Sequence, residues 1–436
     1  MRGLIISSKN PEHSADLGKD LIRLLKSVGC EIDYLTMYGR KNDNPNIITI
    51  FEETLSFKER TKQWVRSLYK YTFIRNVKNI IKKIQGKSFI HNEEKIQIRY
   101  PDEKLPGINP ALITKKINKV YDFVITLFWE PMINTTSLKA IYDKLRCPIL
   151  LYALDMAPMT GGCYYFSNCE GYRNKCLNCL IYNKDNYQSH NNFMIKKDNY
   201  DGMNIWWLGN TYMNKYVKET GLFTPEKILN VSLYLNENEF IPGDREKIRR
   251  KLRIKKDQFI ILVASSNAVR KGVEDACKVI LELRRKIWEE KNKDLLIVTI
   301  GDDYVEKTLR FERVKVKNFG IVNKTQLIKL YNIADVFLCC SKDDAGPSMV
   351  NQSILCGTPV VTYDSGTAID VVENGKSGYK SPKGDLPQLV QNLKKIYDLS
   401  AADYQKLRNE TRSIALQMNS LEAGRQRFQN ILDRLK

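Results

Sequence analysis

The chain contains 436 residues, of which 43% are hydrophobic and 28% are charged. This length is enough for two domains of about 150–220 residues each, and this composition excludes a wholly disordered protein. No apolar run approaches the roughly 20 residues that a membrane-spanning helix needs. We therefore expect a soluble intracellular protein with more than one hydrophobic core.

The net charge of +20 favours a polyanionic partner. Residues 57–87 alone hold ten basic residues and one acidic residue. Within them Trp64, Leu68, Tyr71 and Ile74 recur at helical spacing with cations between them, a pattern typical of a helix on an anionic membrane surface. Alternatively, this apolar stripe packs onto the protein and the charges are merely solvated.

The chain begins with the pattern of a parallel α/β sheet, namely a short apolar strand, a polar loop, an amphipathic helix and a second strand. These segments are Leu4–Ile6, 7–14, 17–29 and Ile32–Leu35. The same order returns at Phe259–Ala264, 265–271, 272–286 and Leu295–Ile300. Further strands are predicted at 121–128, 148–154, 335–340 and 359–363, and further helices at 327–333, 348–356 and from 386 onward. Two Rossmann-like, doubly wound domains are therefore expected, with a break near Asn236–Gly243.

Two loops of the second half could bind an anion. The loop that follows Phe259–Ala264 ends in the adjacent cations Arg270 and Lys271, and ligands of doubly wound sheets bind at the carboxyl ends of strands. In the second loop, Gly346 and Pro347 precede a predicted helix whose first amide groups would bind an anion. Solvated surface cations and an ordinary helix start are the alternatives.

Segment Asp335–Tyr379 adds a third feature, because Asp344 is followed by Gln352 and then by the run 356–361, Cys-Gly-Thr-Pro-Val-Val. This combination resembles the donor-binding half of retaining glycosyltransferase family 4, whose members share the two-domain GT-B fold. The resemblance implies an α/β protein whose two Rossmann-like domains face a cleft. The implied domains are 1–235, for the acceptor, and 236–418, for the nucleotide sugar, with a helix 419–436 that returns to the first domain. Residues 42–110 lack the resemblance and are interpreted as an insertion.

The resemblance also implies roles for individual residues. Arg270 and Lys271 would hold the diphosphate of a UDP- or GDP-sugar and stabilise it as a leaving group, with no catalytic metal. Asp344 would face the donor sugar, and Gln352 replaces the usual Glu that contacts the ribose. Since a Gln amide offers one acceptor where a carboxylate offers two, ribose binding is expected to be weaker. The remaining donor-binding residues implied are Ser265, Gly320, Ile321, Gly346, Pro347, Ser348, Met349 and Val350.

The first half carries a motif that begins at Asp155. Residues 155–165 resemble an acceptor-domain motif of the bacterial envelope, capsule and O-antigen polysaccharide branch of the same family. Leu154 stands where that branch has His, so Asp155 is left to orient or deprotonate an acceptor hydroxyl. Alternatively, Asp155 is a helix cap or turn residue. Four further residues at strand ends are expected to bind the acceptor: His13, Ser14, Trp129 and Glu130.

Four cysteines follow within a loop at 156–182. Cys163, Cys169, Cys176 and Cys179 have the spacing C-x5-C-x6-C-x2-C, and four thiolates could enclose a structural Zn²⁺ tetrahedrally. Such a zinc would fix the loop and take no part in chemistry, because no coordination position stays open. Unligated thiols and an iron–sulfur cluster are the alternatives, and the other six cysteines are interpreted as core residues.

These features favour a glycosyltransferase that moves a hexose from a nucleotide sugar to a lipid-linked saccharide in cell-surface polysaccharide synthesis. We expect it on the cytoplasmic face of the membrane, attached through residues 57–87. A nucleotide-sugar epimerase or hydrolase of the same fold is the alternative enzyme. A zinc-stabilised nucleic-acid binder is disfavoured, because no recognised nucleic-acid-binding motif accompanies the charge.

Overall fold

In the computed structural model, the described residues are 1–11, 16–39, 44–52, 97–98, 102–128, 131–179, 187–266, 269–287, 294–310, 312 and 314–435. They form two compact units. The first comprises Met1–Gly209, Met213–Val231 and Arg425–Lys436, and the second comprises Asn210–Tyr212 and Ser232–Gly424, as far as each range is described. The expected domain boundaries at 235/236 and 418/419 stay predictions.

The described part of the first unit contains nine strands. They are β1 (Arg2–Ser7), β2 (Glu31–Gly39), β3 (Ile47–Glu52), β4 (Gln97–Ile98), β5 (Phe123–Thr126), β6 (Ile149–Tyr152), β7 (Cys163–Tyr165), β8 (Ile205–Gly209) and β9 (Ile228–Asn230). Seven of them form a parallel sheet in the order β3-β2-β1-β5-β6-β8-β9, and β4 pairs with β7 in a separate antiparallel ribbon. The helices up to residue 218 are α1 (Asp16–Ser27), α2 (Pro110–Lys116), α3 (Thr135–Leu145), α4 (Gln188–Asp201) and α5 (Thr211–Lys218).

Six parallel strands lie among the described residues of the second unit. They are β10 (Gln258–Ser265), β11 (Asp294–Gly301), β12 (Lys315–Asn318), β13 (Val336–Cys339), β14 (Val360–Tyr363) and β15 (Gly378–Ser381), in the order β12-β11-β10-β13-β14-β15. The helices from residue 245 onward are α6 (Arg245–Lys251), α7 (Val273–Ile287), α8 (Tyr304–Arg310), α9 (Lys324–Ile333), α10 (Ser348–Leu355), α11 (Ala368–Val371), α12 (Leu386–Tyr397), α13 (Ala401–Asn419) and α14 (Leu421–Arg434).

Alternating side chains of β10 show why its sequence is apolar throughout. Phe259, Ile261 and Val263 are buried in one hydrophobic cluster, whereas Ile260 and Leu262 are buried in another. Successive strand residues point to opposite faces of a sheet, so both faces of this sheet are covered, as is typical of parallel sheets. The expected class, α/β with two doubly wound parallel sheets, is therefore confirmed.

The strand order of the second sheet indicates where a ligand can bind. In the second unit β10 lies between β11 and β13, so the chain reverses its direction of winding between β10 and β13. In open α/β sheets, ligands bind outside the carboxyl ends of the strands at such a reversal. Both loops with the predicted donor residues leave this edge.

The predicted elements match the observed ones with shifts at their ends. The strands predicted at 121–128 and 148–154 are shorter, at Phe123–Thr126 and Ile149–Tyr152, although the amides of Leu127 and Ala153 just beyond them still donate to Ile6 and Leu208 of the neighbouring strands. The β4–β7 ribbon was not predicted, since strands of two and three residues carry no measurable period.

Candidate functional site

The two predicted donor cations lie in a short 3-10 turn, Val269–Lys271, that follows β10. Gly272 ends this turn with a φ of 62°. A Cβ atom at Gly272 would lie 1.8 Å from the carbonyl oxygen of Cys340, at the end of β13. Only glycine permits both this left-handed backbone and this close approach, which brings the two loops together.

Arg270 and Lys271 both contact Asp344, which lies in the loop after β13. The Asp344 Oδ2 atom is 2.5 Å from Lys271 Nζ and 3.2 Å from Arg270 Nη1. The Asp344 side chain is 7% exposed, and it also accepts a hydrogen bond of 3.2 Å from the amide of Gly346. Three residues predicted from different motifs therefore form one ionic cluster, in which two half-buried cations neutralise a buried carboxylate that would otherwise be costly to bury.

A second ionic cluster supports these loops and was missed by sequence reasoning. Asp275, on α7, is buried and accepts hydrogen bonds from Lys342 Nζ at 3.0 Å and from Tyr363 Oη at 2.7 Å. The amide of Lys342 donates to the carbonyl of Arg270 at 2.8 Å. Lys342 thus joins the loop that holds Asp344 to the turn that holds Arg270. No sequence pattern distinguishes Asp275, because a charged residue on an amphipathic helix is ordinarily expected to be exposed to solvent.

The predicted anion site at the start of α10 is only partly available. Pro347 is the N-cap rather than a residue of the first turn, and α10 begins at Ser348. The amide of Val350 donates to the Pro347 carbonyl at 2.9 Å, and that of Gly346 donates to Asp344. The amides of Gly346 and Val350 therefore have partners within the chain, and the expected binding of a ligand by the amides from Gly346 to Val350 stays a prediction. Ser348 and Met349, at the first helical positions, have no carbonyl to bond within their own helix.

Gln352, the departure from the family pattern, has a partner that the sequence did not reveal. The Tyr331 hydroxyl donates to Gln352 Oε1 at 3.0 Å. Tyr331 is fully buried on α9, and burial raises the pKa of its hydroxyl well above the usual range, so it stays a donor. One lone pair of the Gln352 amide oxygen is therefore already engaged.

Three further predicted donor residues lie at the same edge of the second sheet. The Ser265 hydroxyl, at the end of β10, donates to Asp302 Oδ1 at 2.5 Å and so holds the turn after β11. Gly320, beyond the end of β12, has a φ of 61° and accepts a hydrogen bond from the Gly301 amide. The neighbouring Ile321 is 97% exposed, an unusual position for a large apolar side chain.

In the first unit, Asp155 follows β6 and accepts a hydrogen bond of 2.9 Å from the amide of Ala157. The alternative of a turn residue is thus confirmed as a structural fact, and a catalytic role stays a prediction. Burial raises the pKa of the Asp155 carboxyl to about 6, while the Ala157 amide and Lys196 oppose the rise. A carboxyl that titrates near neutral pH is suited to proton transfer.

The residues after Asp155 are held by a buried ion pair that sequence reasoning missed. Lys196, on α4, lies 3.3 Å from Glu103 Oε1, and both side chains are at most 2% exposed. Lys196 Nζ also donates to the carbonyls of Ala157 at 2.5 Å and Thr160 at 2.9 Å. The buried Lys196 ammonium group therefore anchors two backbone carbonyls of the segment that begins at Asp155.

The four loop cysteines line one cavity of about 20 Å³, together with Thr160, Gly161, Phe166, Gly171, Tyr172 and Ser189. All ten cysteines of the chain are free thiols. Burial raises the pKa of the Cys163 thiol well above its usual range, and the neighbouring Cys176, Cys179 and Cys169 add to the rise. Of the six cysteines expected in the core, five are buried and Cys339 is half-buried.

Several predictions fall outside the described residues: His13, Ser14, Trp129, Glu130 and the basic segment 57–87. Within the described part of the chain, no helix combines the length and the hydropathy needed to span a membrane. Nor do three or more His, Cys, Asp or Glu side chains of that part, as they stand, form a group that could hold a metal ion.

Residues 244–415 match the model of the family "Glycosyl transferases group 1". An uncharacterized glycosyltransferase of Methanocaldococcus jannaschii is 31% identical over 140 residues, which are 30% of this chain and 35% of that protein. The alpha-galactosylglucosyldiacylglycerol synthase of Streptococcus pneumoniae is 25% identical over 151 residues, 32% of this chain and 38% of that protein. The matched region thus spans little more than a third of each of these curated relatives.

Solved structures resemble the whole chain. HepE of Anabaena, in complex with UDP-glucose, has a TM-score of 0.63 at 14% identity, with all of both chains covered. WaaG, a glycosyltransferase involved in lipopolysaccharide biosynthesis, has a TM-score of 0.58 at 14% identity, again over both whole chains. At such identity the likeness shows the fold, and it confirms the expected GT-B fold.

Proposed function

We propose that this protein is a retaining glycosyltransferase that moves a hexose from a nucleoside-diphosphate sugar to a lipid-linked saccharide during cell-surface polysaccharide synthesis. The observation that carries the proposal is the convergence of Arg270, Lys271 and Asp344 at the carboxyl edge of β10 and β13. Retention of the anomeric configuration is proposed from the resemblance of 335–379 to family 4.

The cations supply what cleavage of a sugar–diphosphate bond requires. When that bond breaks, negative charge accumulates on the departing diphosphate, and fixed cations that neutralise it lower the barrier. Arg270 can bind two phosphate oxygens at once, and Lys271 adds a compact charge. The start of α10 contributes the positive end of a helix dipole. With these groups in place, the proposed step needs no catalytic metal ion.

Asp344 has two roles in this proposal. Without donor it neutralises Arg270 and Lys271, which keeps the buried cluster stable. When a diphosphate binds, the two cations turn to the phosphate oxygens, and Asp344 Oδ2 becomes available to accept a hydrogen bond from a sugar hydroxyl. In this exchange the two cations stay paired with an anion, and Asp344 keeps hydrogen-bond donors in the Gly346 amide and the sugar hydroxyl.

The donor and acceptor classes have support from relatives. HepE is described in complex with UDP-glucose, the pneumococcal relative is named for a glycosylated diacylglycerol, and WaaG is described in lipopolysaccharide biosynthesis. We propose a UDP- or GDP-sugar as donor, a lipid-linked glycan as acceptor, and Asp155 as the group that orients or deprotonates the acceptor hydroxyl. No nucleic-acid partner is proposed.

Attachment to the membrane is part of the same proposal. The ten cations of residues 57–87 would each contribute about 1 kcal/mol near an anionic lipid surface. A lipid-linked acceptor is presented at such a surface, so the proposed place of action is the cytoplasmic face of the membrane.

The test is a transfer assay with nucleotide sugars and lipid-linked saccharides, read by mass spectrometry of the product. We expect wild-type protein to transfer one hexose per acceptor, Lys271→Ala to lose transfer, and Lys278→Ala to retain it. Lys278 is an exposed cation on α7 that pairs with Glu274, so it controls for loss of charge. Consumption of the donor without acceptor would instead indicate an epimerase or hydrolase, and full activity of Lys271→Ala would overturn the proposal.

A further inference from the structure

The loop that follows Asp155 brings together the four cysteines that are separated in sequence by five, six and two residues. Cys163, Cys169, Cys176 and Cys179 all line one cavity of about 20 Å³. A cavity of this size has room for one occupant about as large as a water molecule. Four cysteines that line a space for one small occupant supply the ligand type and number of a tetrahedral metal site.

Two backbone amide groups beside the cavity donate hydrogen bonds to cysteine sulfur atoms. The amide of Gly161 donates to Cys176 Sγ at 3.2 Å, and that of Gly171 donates to Cys169 Sγ at 3.3 Å. A Cβ atom at Gly161 would lie 2.1 Å from the Ser189 carbonyl oxygen, so only glycine allows this amide to come so close to the sulfur. Amide groups that point at sulfur favour the thiolate form, the form that binds metals.

The geometry points to a structural Zn²⁺ site formed by Cys163, Cys169, Cys176 and Cys179. The thiols as they stand do not form a metal site, so binding requires the cysteine side chains to adjust around the cavity that they share. Four thiols and one Zn²⁺ then give a tetrathiolate complex and release four protons. Tetrahedral thiolate sets bind zinc or iron–sulfur clusters, and a cavity of about 20 Å³ favours the single ion.

Such a metal would stabilise a loop that has little regular secondary structure of its own. Residues 163–179 contain the three-residue strand β7 and a short 3-10 helix, Gly171–Asn174, as their regular structure. Lys175 and Cys176 both have a positive φ, at 52° and 54°, and this backbone conformation is unfavourable for residues that carry a Cβ atom. Zinc ligation would fix this loop. It is a structural role that does not depend on glycosyl transfer.

The test measures zinc in full-length protein purified without metal-affinity chromatography. Elemental analysis should find one zinc per chain, and Co²⁺ substitution should give the intense visible bands of a tetrahedral thiolate site. Replacement of any one of the four cysteines by serine should lower the zinc content at least tenfold, whereas Cys30→Ser and Cys147→Ser, at buried cysteines elsewhere in the first unit, should leave it unchanged.

Wild-type protein provides a measurement that does not depend on whether variants fold. Removal of zinc by a chelator should lower the melting temperature, and added Zn²⁺ should restore it. Less than a tenth of a zinc per chain after growth in zinc-supplemented medium, iron with sulfide in place of zinc, a disulfide between these cysteines, or unchanged zinc in the quadruple serine variant would each overturn the proposal. None of these results bears on transfer activity.

Discussion

Lys271 Nζ lies 2.5 Å from Asp344 Oδ2, although the two residues are 73 positions apart along the chain. The pair joins the loop after β10 to the loop after β13, on either side of the point where the second sheet reverses its winding. Sequence reasoning assigned both residues to one site, and the ion pair shows how that site keeps its charges compensated without a ligand.

Replacement of Lys271 by alanine should reduce transfer by about 10²–10³-fold, the usual effect of removing one group that stabilises developing negative charge. Arg270 still pairs with Asp344 in this variant, so the fold should survive. Steady-state kinetics with thermal melting as a folding control checks the prediction. A loss of transfer accompanied by unfolding would not count as support, whereas a folded variant with wild-type kinetics would contradict it.

Gly272→Ala should lower the free energy of unfolding by about 2–5 kcal/mol, since a Cβ atom there meets the Cys340 carbonyl and the backbone is left-handed. Gly384 is the matched control. It also has a positive φ, of 86°, but no atom lies within 4 Å of its added Cβ, so Gly384→Ala should cost about 1–2 kcal/mol. Chemical denaturation measures both, and equal losses would show that the close approach to β13 is unimportant.

Lys196→Met should lower the free energy of unfolding by about 3–5 kcal/mol, because it leaves the buried Glu103 carboxylate without its partner. Lys197→Met provides the control on the same helix. Lys197 pairs with Asp201 at the surface, where such a pair contributes about 0.5 kcal/mol or less. If the two variants are equally stable, the Lys196–Glu103 pair does not hold the loop.

The raised pKa of Asp155, about 6, predicts a pH dependence of transfer. A general base must be ionised, so kcat/KM should rise as the pH increases through about 6 and then level off. Asp155→Asn should reduce kcat and remove this rise, because the amide does not titrate but still accepts the Ala157 hydrogen bond. An unchanged pH profile in the variant would assign the titration to another group.

The same pKa predicts the sign of a stability effect. The folded chain binds the Asp155 proton more tightly than the unfolded chain, whose ordinary pKa is 3.8. This carboxyl therefore lowers the free energy of unfolding as the pH rises from about 4 to 6. Asp155→Asn should thus gain stability relative to wild type between pH 4 and pH 7, as urea denaturation at both values would reveal. A difference independent of pH would contradict the burial of this carboxyl.

The Tyr331–Gln352 hydrogen bond yields a prediction about nucleotide affinity. Gln352→Glu restores the carboxylate of the family pattern, and its charge-assisted hydrogen bonds to ribose hydroxyls should tighten nucleotide binding by up to about tenfold. Tyr331→Phe should also change affinity, because it releases the Gln352 acceptor. Calorimetric titration with UDP and GDP measures both. Affinities equal to wild type in both variants would place the ribose elsewhere.

Local sequence patterns were sufficient to predict strands and the loops that follow them. Apolar strands such as Leu4–Ile6 and Phe259–Ala264 appear as β1 and β10, and the loops with Arg270 and Asp344 lie at one sheet edge because parallel strands share their carboxyl end. Partners that are distant in sequence were missed. Neither Tyr331 nor Lys196 belongs to a recognisable motif. On an amphipathic helix, a Tyr is ordinarily expected in the core and a Lys at the surface, so their partners emerge only from the fold.

The most direct test of the central claim is the thermal stability of wild-type protein with UDP, GDP, TDP, CDP and their common sugars, beside Lys271→Ala and Lys278→Ala. A ligand at a hundredfold its dissociation constant adds about 2.7 kcal/mol of stability. We expect one nucleotide to stabilise wild type and Lys278→Ala but not Lys271→Ala, which would locate the donor site at the edge of β10 and β13. Stabilisation of Lys271→Ala to the same extent as wild type, or of none of the three proteins by any nucleotide, would contradict it.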